Sequence, residues 1–152
     1  MNDVVDSATR SRMMSGIKGK NTRPELVIRS GLHRLGYRFR LHRKDLPGKP
    51  DLVFAKSRAV MFVHGCFWHY HACHLFKMPS TRREFWETKL GRSRERDREV
   101  RAALREQGWR SLVIWECALK GKERLESGDV LVRAAGWLEG SGADSEISGE
   151  SR

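Results

Sequence analysis

A short segment of the sequence concentrates side chains that bind metal ions. Four of the six histidines and two of the three cysteines lie between positions 64 and 74. Cys66, His71 and Cys73, together with the distant Cys117, supply three thiols and one imidazole, a ligand set typical of closed structural zinc sites. Their spacing is not one of the common zinc-finger spacings, so the pattern also fits three buried thiols beside an exposed histidine. We expect the zinc site, because the alternative leaves this density of ligands unexplained.

Two other histidines of this segment have the chemistry of proton transfer. His64 closes an apolar stretch, and His69 stands two residues before the expected zinc ligand His71. A neutral imidazole held in such a place can act as a general base toward a metal-activated water. The alternative for each of these histidines is a polar surface residue.

Carboxylates are scarce in the same part of the chain. Between residues 7 and 78 there are three acids, Glu25, Asp45 and Asp51, among fifteen Lys and Arg. Asp51 begins an apolar stretch, where a half-buried charge needs a partner. Mg²⁺ is one such partner, since it takes one or two carboxylates together with water and phosphate oxygens, and an arginine is the other. Glu25 stands three residues after Thr22, which also fits a capping box at the start of a helix.

The basic charge indicates a polyanionic partner. The chain has 30 Lys and Arg against 19 Asp and Glu, a net charge of +11, and residues 7–49 hold twelve basic residues against two acids. Nucleic acid is the first partner to expect from such a field. The first basic residues of this window, which we predict to contact DNA, are Arg10, Arg12, Lys18 and Lys20.

Composition excludes several classes of protein. With 39% hydrophobic residues the chain can build a core, so wholesale disorder is excluded. The longest clean apolar run, residues 59–63, is far shorter than the roughly 20 residues of a membrane-spanning helix. The N-terminus lacks the pattern of a signal peptide, and three cysteines cannot form a closed set of disulfides. We therefore expect a cytoplasmic protein.

Three aromatic residues lie in or next to the histidine-rich segment. Phe67 and Trp68 are inside it, and Trp86 begins the helix that follows. Such rings are usually part of a core. Beside a basic surface they also suit insertion between base pairs, as intercalating wedges do. Composition leaves both interpretations open.

The elements that must position these residues form one sheet with flanking helices. A capping pattern at Thr22 and a stop at Gly36 predict a first helix. Alternation or apolar runs predict strands over residues 37–42, 51–55, 59–63 and 111–115. A long charged helix is expected over residues 82–107, with a solvated face, and a last helix capped by Asp129. The order predicts an α/β or α+β fold with a mixed central sheet.

The chain length fits one domain with two extensions. We predict an N-terminal DNA-gripping arm over residues 1–20, one folded domain over 21–139 and a disordered tail over 140–152. The tail is rich in Gly, Ser and acids and has almost no apolar residues.

Six blocks of sequence carry a family resemblance. They are residues 8–11 (ATRS), 46–51 (LPGKPD), 64–69 (HGCFWH), 75–77 (LFK), 84–86 (EFW) and 115–119 (WECAL). In this order they resemble the very short patch repair (Vsr) DNA mismatch endonucleases, from about residue 6 to residue 139. Two departures are visible, Val63 where the family has Thr, and Tyr70 and Ala72 within the histidine-rich run.

The resemblance implies a restriction-endonuclease-like fold and Mg²⁺-dependent nicking of one DNA strand. The cut lies 5′ of the thymine of a T·G mismatch that arises when 5-methylcytosine deaminates. The partner is then double-stranded mismatched DNA, with mismatch-repair proteins as candidate partners. We expect a monomer that acts at the bacterial nucleoid.

The resemblance also implies roles for individual residues. Asp51 corresponds to the metal-binding catalytic aspartate, with the main-chain carbonyl of Val63 completing the Mg²⁺ site. His69 corresponds to the essential catalytic histidine, and Glu25 and His64 to supporting residues. The family's structural zinc ligands correspond to Cys66, His71, Cys73 and Cys117. Its DNA-contacting residues correspond to Phe67, Trp68, Trp86 and Met14.

Two alternative functions stay open at this point. One is a zinc-stabilised DNA-binding module without catalysis, in which the carboxylates form salt bridges. The other is a nuclease of the same fold that acts on a different DNA structure. A substrate panel and a test for strand scission distinguish them from mismatch nicking.

Overall fold

A computed structural model gives the fold of residues 22–150. The predicted arm, with Arg10, Arg12, Met14, Lys18 and Lys20, lies outside these described residues. Within residues 22–150, every helix is too short or too polar to span a lipid bilayer.

Three α-helices and five strands form the described part of the chain. Their bounds are α1 Arg23–Arg34, β1 Arg40–Leu41, β2 Leu52–Phe54, β3 Ala59–His64, α2 Arg83–Glu106, β4 Arg110–Trp115, α3 Ser127–Glu139 and β5 Ser145–Ile147. A 3₁₀ turn, Glu116–Ala118, follows β4 directly. The strands lie in numerical order in one sheet.

The sheet is mixed, as the sequence predicted. Strands β1, β2 and β3 pair antiparallel, whereas β3, β4 and β5 pair parallel. Helix α2 makes the crossover that a parallel β3–β4 pair requires. Its predicted end is confirmed at Gly108, whose positive φ of 84° suits glycine.

Each face of the sheet has its own hydrophobic core. On one face, Ile28 and Leu32 of α1 pack with Val130 and Leu138 of α3 against the strands. On the other face, Leu104 of α2 packs over residues of β2, β3 and β4. The chain therefore has helices on both faces of the sheet, and the ends of the strands are left to carry the site.

Two predicted boundaries differ from the structure. The predicted strand over residues 37–42 is reduced to two paired residues, because only Arg40 and Leu41 are paired with β2. Helix α3 begins two residues before Asp129, so this aspartate lies in the first turn and is not the cap.

The prediction of a disordered tail was wrong for residues 145–147. Strand β5 pairs parallel with β4, and Ile147 is only 6% exposed in the core. The acids of this segment also bind the sheet. Asp144 Oδ1 accepts a hydrogen bond from the Ser111 amide at 2.8 Å, and Glu146 Oε1 accepts one from Trp115 Nε1 at 2.6 Å. Acids that the composition suggests are solvated thus attach the tail to β4.

Candidate active site and metal centres

The end of β3 brings predicted site residues together from two directions. The Val63 amide donates a hydrogen bond to Asp51 Oδ2 at 2.7 Å. The ring of the next residue, His64, stacks on His69 with centroids 3.7 Å apart and planes 3° from parallel. Because Val63 and His64 are consecutive, the carboxylate and the two histidines meet the same end of this strand.

Asp51 belongs to a cluster of three side chains that could hold a metal ion. Donor atoms of Glu25, His42 and Asp51 all lie within 4.8 Å of one another. His42 Nε2 is 2.7 Å from Glu25 Oε2 and 3.9 Å from Asp51 Oδ1. Two carboxylates and an imidazole are a donor set that fits a divalent cation. His42 was missed by the sequence reasoning, which used it only as the end of an alternating strand.

Glu25 reaches this cluster from the first turn of α1. The Thr22 hydroxyl oxygen accepts a hydrogen bond from the Glu25 amide at 3.4 Å, so the predicted cap is present. Glu25 is only 1% exposed. Its carboxylate accepts a hydrogen bond from Arg29 at 3.1 Å and also contacts His42. Its side chain therefore faces the cluster, while Thr22 caps the helix.

Burial makes the Asp51 carboxyl hard to ionise without a cation. Burial raises the pKa of Asp51 to about 7, and the nearby charge of Glu25 adds to the rise, while the Val63 amide opposes it. A buried carboxyl of this kind favours a positive ligand, because the cation stabilises its ionised form. A cation at this cluster would therefore stabilise the ionised form of Asp51 directly.

His64 and His69 form a second group with an acid from α2. Asp97 Oδ2 lies 2.7 Å from His69 Nδ1. Since a carboxylate only accepts, Nδ1 carries the proton and Nε2 is left as a basic nitrogen. His64 is buried, and burial lowers its pKa well below the usual value, with the positive charge of Arg101 adding to the shift, so this ring is neutral.

The contact made by Asp97 corrects the interpretation of α2 as a solvated face. Exposed pairs such as Arg83–Glu87, at 2.9 Å, do fit that interpretation. Asp97, however, holds His69, and two neighbours hold the residues on either side of it. The Ser93 hydroxyl donates to the Trp68 carbonyl at 2.9 Å, and Arg94 donates to the carbonyl of residue 70 at 2.8 Å. One stretch of α2 thus fixes residues 68–70.

The predicted zinc ligands are brought together. Ligand atoms of Cys66, His71, Cys73 and Cys117 all lie within 4.8 Å of one another. The distance from Cys117 Sγ to His71 Nδ1 is 3.7 Å. A tetrahedral zinc ion with ordinary bond lengths separates a sulfur and a nitrogen ligand by about 3.5 Å. The donor set and its spacing therefore fit zinc.

Two of the four side chains of this Cys₃His cluster, Cys66 and Cys117, are fully buried. Burial raises the pKa of the Cys66 and Cys117 thiols, so a bound metal is what would keep them ionised. The Gly149 amide donates to Cys117 Sγ at 3.2 Å, and the Cys66 amide donates to Glu116 Oε1 at 3.2 Å. The contact from Gly149 was missed because the tail was expected to be disordered.

The three predicted DNA-contacting aromatics form one half-buried cluster. The ring of Phe67 lies 5.0 Å from that of Trp68 and 5.5 Å from that of Trp86, and the two indoles are 6.2 Å apart. Phe85 extends the cluster to the surface with 42% of its area exposed. The rings are therefore neither core nor free surface, and their role as wedges stays a prediction.

The fold and the two donor clusters define a class of protein. This is a mixed-sheet α/β protein that carries, at one end of its sheet, carboxylates and imidazoles that could hold a metal ion and, beside them, a zinc-type cluster. Comparison with known proteins narrows the class. The model of the family DNA mismatch endonuclease Vsr matches residues 2–75.

Similar proteins cover most of the chain. DNA mismatch endonuclease Vsr of Escherichia coli is 47% identical over 147 residues, which are 97% of this chain and 94% of that protein. Type II nicking enzyme V.XorIIP of Xanthomonas oryzae is 49% identical over 127 residues, 84% of this chain and 93% of that protein. The chain belongs to the Vsr family of DNA mismatch endonucleases, which confirms the resemblance seen in its sequence. It is therefore a DNA-cleaving hydrolase.

Proposed function

We propose that this endonuclease nicks one strand of double-stranded DNA 5′ of the thymine of a T·G mismatch, with Mg²⁺ at Asp51. The observation that carries the proposal is the order of residues in one loop. Phe67 and Trp68 are followed directly by His69, and Asp97 orients that histidine at 2.7 Å. The aromatic rings that would distort the base stack and the histidine that would activate water are thus adjacent in one loop.

The metal would be held by Asp51, with Glu25 and the main-chain carbonyl of Val63 as the further candidate ligands. When bound, Mg²⁺ stabilises the charge that develops on the scissile phosphate and lowers the pKa of bound water. The hydrogen bond from the Val63 amide to Asp51, 2.7 Å long, keeps the carboxylate against the end of β3. Replacement of Thr by Val at position 63 leaves that amide in place.

His69 is proposed as the general base. Its Nδ1 proton is held by Asp97, so Nε2 accepts the proton of the attacking water. The neutral ring of His64, stacked at 3.7 Å, keeps the His69 ring in its plane. His64 is therefore a positioning residue, and its burial prevents it from competing for the proton.

Mismatch selection is proposed to arise from the aromatic cluster of Phe67, Trp68 and Trp86. Insertion of a ring between base steps costs a few kcal/mol, and less at a weakly paired step. A T·G step therefore opens at a smaller cost than T·A, which directs the distortion to the mismatch. The Cys₃His cluster holds the loop that carries Phe67 and Trp68 while the DNA bends.

The basic arm is proposed to grip the duplex. Residues 1–20, with Met14 and the four basic residues named above, would act from outside the domain of residues 21–139. Their phosphate contacts would supply affinity that falls with salt, without selecting sequence.

The proposal is tested with a duplex labelled on the thymine strand. The zinc-loaded full chain with Mg²⁺ is expected to nick the T·G duplex and to leave the T·A duplex intact. Asp51→Asn is expected to bind the T·G duplex without cutting it. Asp45→Asn is the matched control, because this carboxylate is 62% exposed and pairs only with Arg43 among the ion pairs of the described residues. Equal cutting of both duplexes, or full activity of Asp51→Asn, contradicts the proposal.

A further inference from the structure

We propose that His42 is a protein ligand of the catalytic metal ion, so that this centre favours a first-row divalent ion such as Mn²⁺ over Mg²⁺. The inference rests on the proposed function in one respect, that Asp51 holds a metal. It goes further by assigning a nitrogen ligand to a centre otherwise built from oxygen. Imidazole nitrogen is a ligand that first-row ions accept more readily than Mg²⁺ does.

Strand pairing places His42 beside Asp51. Leu41 of β1 pairs with Leu52 of β2, so the next residue of one strand lies opposite the preceding residue of the other. The His42 amide donates to the Asp51 carbonyl at 3.1 Å, which continues this register by one residue. The imidazole therefore sits beside the predicted metal ligand because the main chains are bonded there.

The backbone of His42 turns its ring over the cluster. Its φ is 49°, in the left-handed region that few residues other than glycine adopt. This turn ends the pairing of β1. The His42 side chain is 17% exposed and meets the carboxylate of Glu25, which comes from α1. Three separate elements thus deliver one donor each to the same point.

The distances between donors are close to those of a metal site. Two ligands bound at right angles with bonds of about 2.1 Å are about 3 Å apart, and opposite ligands are about 4.2 Å apart. His42 Nε2 is 2.7 Å from Glu25 Oε2 and 3.9 Å from Asp51 Oδ1. A few tenths of an ångström of movement would convert the hydrogen bond with Glu25 into joint coordination, with the Nε2 proton released to solvent.

The charge of the cluster also suits a divalent ion. Glu25 and Asp51 supply two negative charges, whereas an imidazole ligand adds none. The Arg29 guanidinium contacts Glu25 Oε2 at 3.1 Å and neutralises part of that charge from outside. A third ligand that is neutral, such as His42, therefore raises the affinity for the metal ion without adding a carboxylate to the basic surface that must approach DNA.

The test measures Mn²⁺ bound to the zinc-loaded full chain. Electron paramagnetic resonance gives the Mn²⁺ dissociation constant, and pulsed measurements detect the magnetic coupling of ¹⁴N nuclei bonded to the ion. Mg²⁺ affinity is obtained by competition. The wild-type chain is expected to bind Mn²⁺ more tightly than Mg²⁺ and to show ¹⁴N coupling from one imidazole.

Three variants make the test specific. His42→Asn tolerates the left-handed backbone and is expected to lose the ¹⁴N coupling and to weaken Mn²⁺ binding by at least about tenfold, the loss typical of even an outer partner of a metal ligand. Mg²⁺ binding should weaken much less. His42→Gln retains a donor for Glu25, so it separates loss of a ligand from displacement of that carboxylate. His33→Gln, in α1, is the control with unchanged coupling.

The outcomes distinguish this inference from the proposed function. If Asp51→Asn abolishes Mn²⁺ binding but His42→Asn keeps the ¹⁴N coupling and the Mn²⁺ preference, His42 is not a ligand and the metal at Asp51 stands. If Asp51→Asn leaves Mn²⁺ binding unchanged, the metal centre of the proposed function is itself wrong. Circular dichroism of each variant checks that the fold is retained.

Discussion

Replacing Asp51 by Asn should stabilise the metal-free protein, and increasingly so as the pH rises. The folded chain raises the pKa of this carboxyl from its ordinary 3.8 to about 7. At about 1.4 kcal/mol per pKa unit, ionisation of Asp51 costs the folded state at most about 4 kcal/mol. The side chain is only 17% exposed, so solvent screens little of this cost. Loss of catalysis would thus accompany a gain in stability.

The direction follows from where the proton is bound. The folded state keeps its proton to a higher pH than the unfolded state does, so stability is complete below the unfolded pKa and is lost as the pH rises through the folded pKa. Asn does not ionise, so the Asp51→Asn variant loses no stability at this position as the pH rises. The stability difference between Asp51→Asn and wild type should therefore grow by about 2 kcal/mol between about pH 5.5 and pH 8.

Urea unfolding followed by tryptophan fluorescence, with zinc bound and no Mg²⁺, measures this difference. An excess of Mg²⁺ should reduce the advantage of Asp51→Asn, because the ion binds the ionised carboxylate of the wild type. Asp45→Asn is the control, since the Arg43 guanidinium lowers the pKa of Asp45 and both states stay ionised over this range. A difference for Asp51→Asn that stays constant within about 0.5 kcal/mol across the range refutes the reasoning.

Other perturbations test the support of the two centres. Cys117→Ser should leave less than one zinc per chain by mass spectrometry of metals and should lower the melting temperature, whereas a full equivalent of zinc would rule out the four-ligand site. Asp97→Asn should lower the nicking rate by up to about 10²–10⁴-fold, the usual contribution of the general base His69 that it orients, and should change the pH profile of the rate while DNA binding persists. Gly149→Ala places a Cβ 2.5 Å from the Cys117 carbonyl oxygen and should destabilise the fold by about 1–3 kcal/mol in urea. Gly142→Ala, where a Cβ meets nothing within 4 Å, should be neutral, and equal effects of the two would contradict the packing argument.

The parts of the fold that the sequence predicted well are those fixed by local patterns. The apolar run at residues 59–63 became β3, and the helix over residues 82–107 ended where Gly108 requires it. The zinc-type cluster was predictable because Cys and His are rare and three of its four members are close in sequence, so that Cys117 was the one remaining cysteine. Asp51 stood out because an acid at the start of an apolar strand in a basic field needs a partner.

The parts that were missed depend on contacts between distant residues. His42 appeared to be the last residue of an alternating strand, and only the pairing of β1 with β2 shows that it faces Asp51. Asp97 is one of many charges on α2, and nothing local distinguishes it from the exposed ones. The tail resembled a solvated segment because it is rich in Gly, Ser and acids. Composition cannot reveal that its acids accept hydrogen bonds from backbone and indole N–H groups of the sheet.

The position of Gly149 has a consequence for synthesis of the protein. Its amide supports Cys117, 32 residues earlier, and β5 completes the sheet just before it. The ribosome therefore makes every proposed catalytic residue and every predicted zinc ligand before it makes the segment that supports them. A polypeptide that stops after α3 would contain all the residues proposed to cut DNA, yet lack the contacts of β5 and Gly149. We expect the nascent chain to acquire its full cutting ability only after residues 145–149 have left the ribosome and paired with β4 and Cys117.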